Sequence, residues 1–241
     1  MKRPKDYLIF PLDVPTYQEA IRYVEILKEH VGLFKVGLEL FVSVGPKILR
    51  TIRERSEAGI FLDLKFHDIP ATVKGAFLAA SAHGVTFTTV HCDEGEGLLR
   101  SVVENNPSGT KILAVTVLTS LESKNLKELG YLDRYVNDIT ELVLLKARMA
   151  KEAGCSGVVC SGLEVEKVKA NLGKDFIVVT PGIRPAWPLG GKDDQKRIIT
   201  PYQALKNGAD YIVVGRPIRI AEKPIEAAKK VLDEIETAIS E

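Results

Sequence analysis

Residues 61–70, FLDLKFHDIP, begin as an apolar run and then fill with charge. Asp63, Lys65, His67 and Asp68 share six consecutive positions. If this run is a strand, Asp63 and Lys65 leave it on the same face, because side chains alternate with a period of two. A buried unpaired charge is prohibitively costly, so Lys65 needs a carboxylate and Asp63 needs a cation. Two carboxylates beside one ammonium favour its protonated form and oppose the desolvation that would lower its pKa. The predicted chemistry is proton donation from Lys65. An isolated Asp-x-Lys pair reads equally well as a structural salt bridge. Lys35 and Asp13, converging from neighbouring predicted strands, weigh against that reading here.

The elements that must position these groups are legible as an alternation. Apolar, near-continuous runs at 7–13, 33–40, 60–65, 85–91, 111–119, 157–161, 176–183 and 211–216 read as parallel strands buried on both faces. Helical segments are expected near 16–30, 44–57, 71–82, 94–105, 138–154, 164–171, 200–207 and 224–239. In the fifth of these, Ile139, Leu142, Leu145 and Met149 recur at three- and four-residue steps on one face. Asp138 with Glu141 suggests a capping box, and Gly154 suits the C-terminal stop. Eight such units over residues 1–241 predict a single (β/α)8 barrel domain. An open doubly wound sheet is the rival topology, but no GxGxxG follows the first strand. The longest stretches without helical periodicity lie near 120–136 and 184–199, and the second suits an active-site loop.

A barrel gathers its catalytic groups at the C-terminal ends of its strands. Asp13, Asp63, Lys65, His91, Thr119, Ser120, Ser161, Arg184 and Arg216 all fall at or just beyond those ends, with Asp68 following and Lys35 inside strand two. The loops after strands seven and eight, TPGIR (180–184) and VGRPI (214–218), are where such barrels hold phosphate. Gly215 lets a phosphate approach the backbone, and Arg216 can fork two hydrogen bonds to it. The run His91-Cys92-Asp93-Glu94 has metal-ligand residue types, but alternation along a strand would keep most of them from one ion, so no metal site is expected. Cys92, Cys155 and Cys160 read as packing residues and His67 as a hydrogen-bonding support. Trp187 reads as a lid contact or a surface aromatic.

The composition sets the class. The chain has 241 residues, a net charge of +1 and three cysteines without framework spacing. This balance excludes a general nucleic-acid or membrane surface. No apolar stretch approaches the roughly 18 residues of a membrane span, and the N-terminus does not read as a secretion signal. A soluble cytoplasmic protein is expected.

LDLKFHDIPATV resembles the Asp-x-Lys-x-x-Asp signature of the orotidine 5′-phosphate decarboxylase family. PLDV (11–14), FKVGLELF (34–41), VTVLTS (115–120), VTPGIR (179–184), DDQKRIITP (193–201) and VVGRPI (213–218) resemble the same family, in its order. The resemblance implies a homodimeric (β/α)8 barrel that converts orotidine 5′-phosphate to UMP without cofactor or metal. It assigns Lys65 to protonation of pyrimidine C6, Asp63 to the carboxylate beside the departing CO2, and Asp68 with Thr72 to the partner's site. It assigns Lys35 and Asp13 to the ribose hydroxyls, and Thr119 and Ser120 to the substrate, Ser120 facing the pyrimidine. Arg184, Gln195, Gly215 and Arg216 fall to the phosphate grip and its lid. Two rivals share features of this pattern. A magnesium-dependent sugar-phosphate decarboxylase or hexulose-phosphate synthase would need a carboxylate on strand two, where Lys35 stands. A non-catalytic phosphate-binding barrel gives no reason for a buried charge array.

Overall fold

The computed structural model describes residues 2–185, 187 and 197–241. Its strands are β1 (Leu8–Pro11), β2 (Leu33–Gly37), β3 (Gly59–Phe66), β4 (Phe87–His91), β5 (Lys111–Val115), β6 (Gly157–Val159), β7 (Ile177–Thr180) and β8 (Tyr211–Val213). Each pairs in parallel with the next, and β8 returns to β1, closing the predicted barrel. Among the described residues, no helix is long and apolar enough to cross a membrane.

Several helix boundaries have explicit chemical causes. Thr16 caps Tyr17–Leu27 by accepting a hydrogen bond from the Glu19 amide. Asp138 caps Ile139–Glu152 by accepting from the Thr140 amide, and Gly154 follows with a left-handed φ of 87°. These are the orphan amides that a helix start must satisfy and the conformation that glycine supplies at a helix end.

The boundaries differ from expectation where short apolar runs are ambiguous. The run 33–40 divides at Gly37: Leu33–Gly37 is strand and Leu38–Val44 is helix. A few apolar residues suit a buried strand or a short helix equally well. The stretch 120–136 carries two short helices, Ser123–Glu128 and Asp133–Asn137, each too brief to show a period. β5, β6 and β8 end earlier than their apolar runs, so Thr119, Ser120 and Ser161 lie in the following loops.

Apolar side chains fill the barrel. Ile9, Leu33, Phe61, Phe87, Leu113 and Val179 are buried together, with Val159, Ile177, Tyr211 and Val213 packed against them. Phe87 meets Phe61 and Tyr211 edge-on, with ring centroids 6.0 and 5.1 Å apart. The larger core lies between the strands and the surrounding helices. The Lys2 ammonium sits 3.7 Å above the Tyr211 ring and donates to the Asp210 carbonyl, so the N-terminal segment covers the Tyr211 end of this filling. Two residues further along the inward face of β1, β2 and β3, the side chains become those of a site. Ile9 gives way to Pro11 and Asp13, Leu33 to Lys35, and Phe61 to Asp63. Hydrophobic filling below and polar groups above come from one period-two pattern.

Candidate active site

Four charges of alternating sign run across the ends of β1, β2 and β3. The Lys35 ammonium donates to Asp13 Oδ1 at 2.9 Å and lies 3.7 Å from Asp63 Oδ2. Lys65 Nζ lies 2.9 and 2.8 Å from the two Asp63 oxygens. Thr89, on β4, adds a hydroxyl hydrogen bond to Asp63 Oδ1 at 3.0 Å. Asp63 is buried, which pushes its carboxyl pKa up, but Lys35 and then Lys65 outweigh this. With the hydrogen bonds from Lys65 and Thr89, they hold the acid below its ordinary range. The magnitudes make that direction reasonable. Opposite unit charges about 4 Å apart attract by about 4 kcal/mol at an effective dielectric near 20, and Asp63 has two such partners.

Lys65 reaches this position by breaking the strand, not by following it. Its φ is 50°, and no other described residue besides glycine has a positive φ. Leu62 pairs with Thr88 and Phe66 with Val90, so β3 uses two more residues than β4 across this interval. The bulge removes the simple alternation on which the expected shared face of Asp63 and Lys65 rests. The Lys65 amide is instead held by Thr89 Oγ1 at 2.9 Å, and its side chain folds back onto Asp63. A non-glycine residue in the left-handed region costs on the order of 1–3 kcal/mol, and such strain concentrates at functional sites. Thr89, which supports both Lys65 and Asp63, is a site residue that the sequence pattern does not single out. Its signal is its place on β4, two residues beyond the inward-facing Phe87.

Two adjoining cavities open above this array. One, about 330 Å³, is lined in part by Lys35, Asp63, Lys65, Thr119, Ser120 and Cys160. The other, about 320 Å³, is lined in part by Asp13, Arg184, Gly215, Arg216 and Arg219. Lys35, Pro181 and Val213 border both. The first is the more apolar chamber, walled by Phe61, Val115 and Val117, and the second is cationic. A molecule with a flat, mostly apolar head and an anionic tail fits this division. Gly215 is needed at the cationic end, because a Cβ there would stand 2.8 Å from Pro11 Cγ. Arg219 joins the expected Arg184 and Arg216, and its signal is the three-residue step from Arg216 along a short helix. Gly37 belongs to the site for a steric reason, since a Cβ would come within 3.0 Å of Lys35 Nζ.

Asp68 and Thr72 stand apart. Both are exposed, and neither lines these cavities. Asp68 accepts a hydrogen bond from the Ile69 amide at 2.6 Å. Within one chain the array is therefore Asp13–Lys35–Asp63–Lys65, and the second carboxylate expected beside Lys65 does not come from its own Asp68. Gln195 lies outside the described residues. Trp187 packs against the core and has Lys230 Nζ 5.8 Å from its ring centre. Arg197 pairs with Glu164, a buried carboxylate just before the helix Val165–Leu172. Sequence reasoning missed this pair because its partners are 33 positions apart. The three cysteines are buried and unpaired as packing residues should be, and burial pushes the Cys155 and Cys160 thiols up to about 12.

Residues 6–231 match the model of the orotidine 5′-phosphate decarboxylase / HUMPS family. An orotidine 5′-phosphate decarboxylase of Desulfosudis oleivorans is 50% identical over 99% of this chain and 96% of its own length. One from Gloeothece citriformis is 46% identical over 95% of this chain and 97% of its own. Among solved structures, the orotidine 5′-phosphate decarboxylase of Lactobacillus acidophilus superposes with a TM-score of 0.81 at 37% identity. That superposition covers 97% of this chain and 99% of the other.

Proposed function

The chain belongs to the orotidine 5′-phosphate decarboxylase / HUMPS family, and from that premise we propose that it converts orotidine 5′-phosphate to UMP and CO2. The observation that carries the reading is the alternating Lys35–Asp63–Lys65 array at the mouth of the apolar chamber, beside an arginine-lined cationic pocket. The pyrimidine occupies the first cavity near Thr119 and Ser120. The ribose hydroxyls meet Asp13 and Lys35, and the phosphate meets Arg184, Gly215 and Arg216, with Gln195 joining from the lid.

As the bond from C6 to the carboxyl carbon breaks, its electron pair stays on C6 and CO2 departs past Asp63. Lys65 Nζ delivers a proton to C6, and the resulting amine regains a proton from solvent. C6 has no adjacent electron sink, so stabilisation must come from charge already in place. A preorganised ammonium in a water-poor site supplies it without reorganisation. Phosphate binding in the second cavity contributes remote binding energy to site assembly. The active form is a cytoplasmic homodimer in which Asp68 and Thr72 complete the partner's site. Their exposure away from their own cavities supports this, as does the apolar surface at Leu38, Val42 and Ile69.

The test is turnover of orotidine 5′-phosphate, followed by absorbance, before and after exhaustive chelation. Undiminished UMP formation is expected, because Lys35 occupies the place on β2 where the magnesium-dependent members of the superfamily need a carboxylate. Loss on chelation and recovery with magnesium would move the assignment to that sister chemistry. Absence of turnover under every condition would leave a phosphate-binding barrel.

A further inference from the structure

At the ends of β3 and β4, outside the residues lining the two cavities, His67, His91 and Asp93 come together. One donor atom from each lies within 4.8 Å of the others. The imidazole centroids are 5.1 Å apart and the rings are tilted by 55°. Asp93 Oδ2 is 2.9 Å from His91 Nδ1, and its other oxygen accepts from Lys146, a buried lysine on Ile139–Glu152 that also donates to the Thr116 carbonyl. Glu94 completes the cluster, with Oε1 3.0 Å from His67 Nε2. That approach is close enough for an ion pair but is not aligned as a hydrogen bond. Both Glu94 oxygens are buried, and neither has a hydrogen-bond partner among the described residues.

The strand alternation that argues against an ion here reaches only as far as His91, where β4 ends. Cys92 turns into the core, and its thiol faces the Lys146 carbonyl. Asp93 and Glu94 lie in the loop, where alternation no longer separates them. The second imidazole arrives from the neighbouring strand end, which no local spacing can reveal.

We propose that His67, His91 and Asp93, with Glu94 beside them, form a binding site for a borderline transition-metal ion of the Zn2+ type. Imidazole nitrogens with carboxylate oxygens suit zinc and its neighbours, whereas magnesium and calcium prefer oxygen alone. Zinc is tetrahedral and sits about 2.0–2.1 Å from a ligating nitrogen, so its donor atoms lie about 3.3–3.4 Å apart, and side-chain adjustments of about 1.5 Å would close the present spacing. A cation there also gives the two buried Glu94 oxygens, which have no hydrogen-bond partner among the described residues, a charge to face. The ion would clip the segment after β3, which leads directly into Asp68, to the end of β4. It plays no part in the decarboxylation, and the proposal does not depend on that reading.

The test uses untagged, full-length protein stripped by a chelator and titrated with Zn2+. Calorimetry should show one ion per chain, and the melting temperature should rise with Zn2+ and fall back on chelation. In imidazole 15N spectra, the His67 and His91 signals should shift while His30 and His83 stay unchanged. His67→Ala and His91→Ala should each weaken binding by at least about tenfold. If His91→Ala fails to fold, His67→Ala decides alone, because that side chain is 55% exposed. No binding, equal binding of Mg2+, shifts at all four histidines, or binding that survives the His67 substitution would each overturn the site. The last two would mark an adventitious ion only.

Discussion

Lys65 combines the two properties a static structure can offer as signs of function, a strained backbone and a charge that needs company. Lys65→Ala is expected to fold and to lose turnover by several orders of magnitude, since the proposed proton donor is removed and not merely a contact. The left-handed φ of 50° adds a second expectation that activity cannot supply. Lys65→Gly should be more stable than Lys65→Ala by about 1 kcal/mol, because only glycine occupies that region without a Cβ penalty. Equal stability of the two variants in urea melts would mean that the bulge is not strained, and a tenth of wild-type activity in either would remove Lys65 from its role. Asp63 makes the matching prediction in acid. Its folded pKa is lowered, so the ionised form is bound more strongly in the native state than in the unfolded chain. That stability is whole above the ordinary aspartate value of about 3.9 and drains away as the pH falls below it towards the folded value. Asp63→Asn should therefore show a shallower loss of stability across this acid range than the wild type. Identical acid profiles would place the coupling elsewhere.

At the scale of elements, β7 and β8 with their loops form the cationic end of the candidate site, and their contribution is separable from that of β3. Arg216→Ala should weaken catalysis on orotidine 5′-phosphate while leaving the slow reaction of orotidine, which lacks the phosphate, nearly unchanged. A charge-assisted fork of this kind is worth about 1.5–3 kcal/mol, so kcat/KM on the phosphorylated substrate should fall by roughly 10–150-fold. Equal loss on both substrates would instead report damage to the barrel. The strands and their order were legible because a parallel strand buried on both faces writes a continuous apolar run, and because helices of more than about ten residues show their period. Their C-terminal limits were less so: Leu38–Val44 continues the apolar run of β2, yet turns helical at Gly37. The charged cluster announced itself, since Asp63 and Lys65 interrupt a run that should otherwise stay apolar. What stayed hidden depends on contacts between distant elements. Thr89 is an ordinary strand residue until β3 bulges against it, Glu164 an ordinary acid until Arg197 meets it, and His67 a neighbour of Asp68 until β4 brings His91 alongside.

At the scale of the whole molecule, one chain presents an array in which no described carboxylate besides Asp63 pairs with Lys65, and carries Asp68 exposed beside Ile69 and Thr72. Ile69 is 67% exposed and Val42 82%. If Asp68 serves the partner's site, two inactive variants should rescue each other. In a hybrid of Lys65→Ala and Asp68→Ala subunits, one site carries both lesions and the other carries neither. That intact site combines Lys65 from one chain with Asp68 from the other. Random reassortment of an isologous dimer makes about half the dimers hybrids, each with one working site. An equal mixture should then recover roughly a quarter of wild-type activity per subunit, provided the two sites act independently. Mild dissociation and re-association should precede the assay, with different tags on the two chains so that hybrids can be isolated and counted. Activity should rise in proportion to the hybrid fraction and vanish when tagged homodimers are separated again. Isolated hybrids that remain inactive would place Asp68 in its own subunit's chemistry, and the carboxylate missing from beside Lys65 would have to come from a movement of the chain after β3.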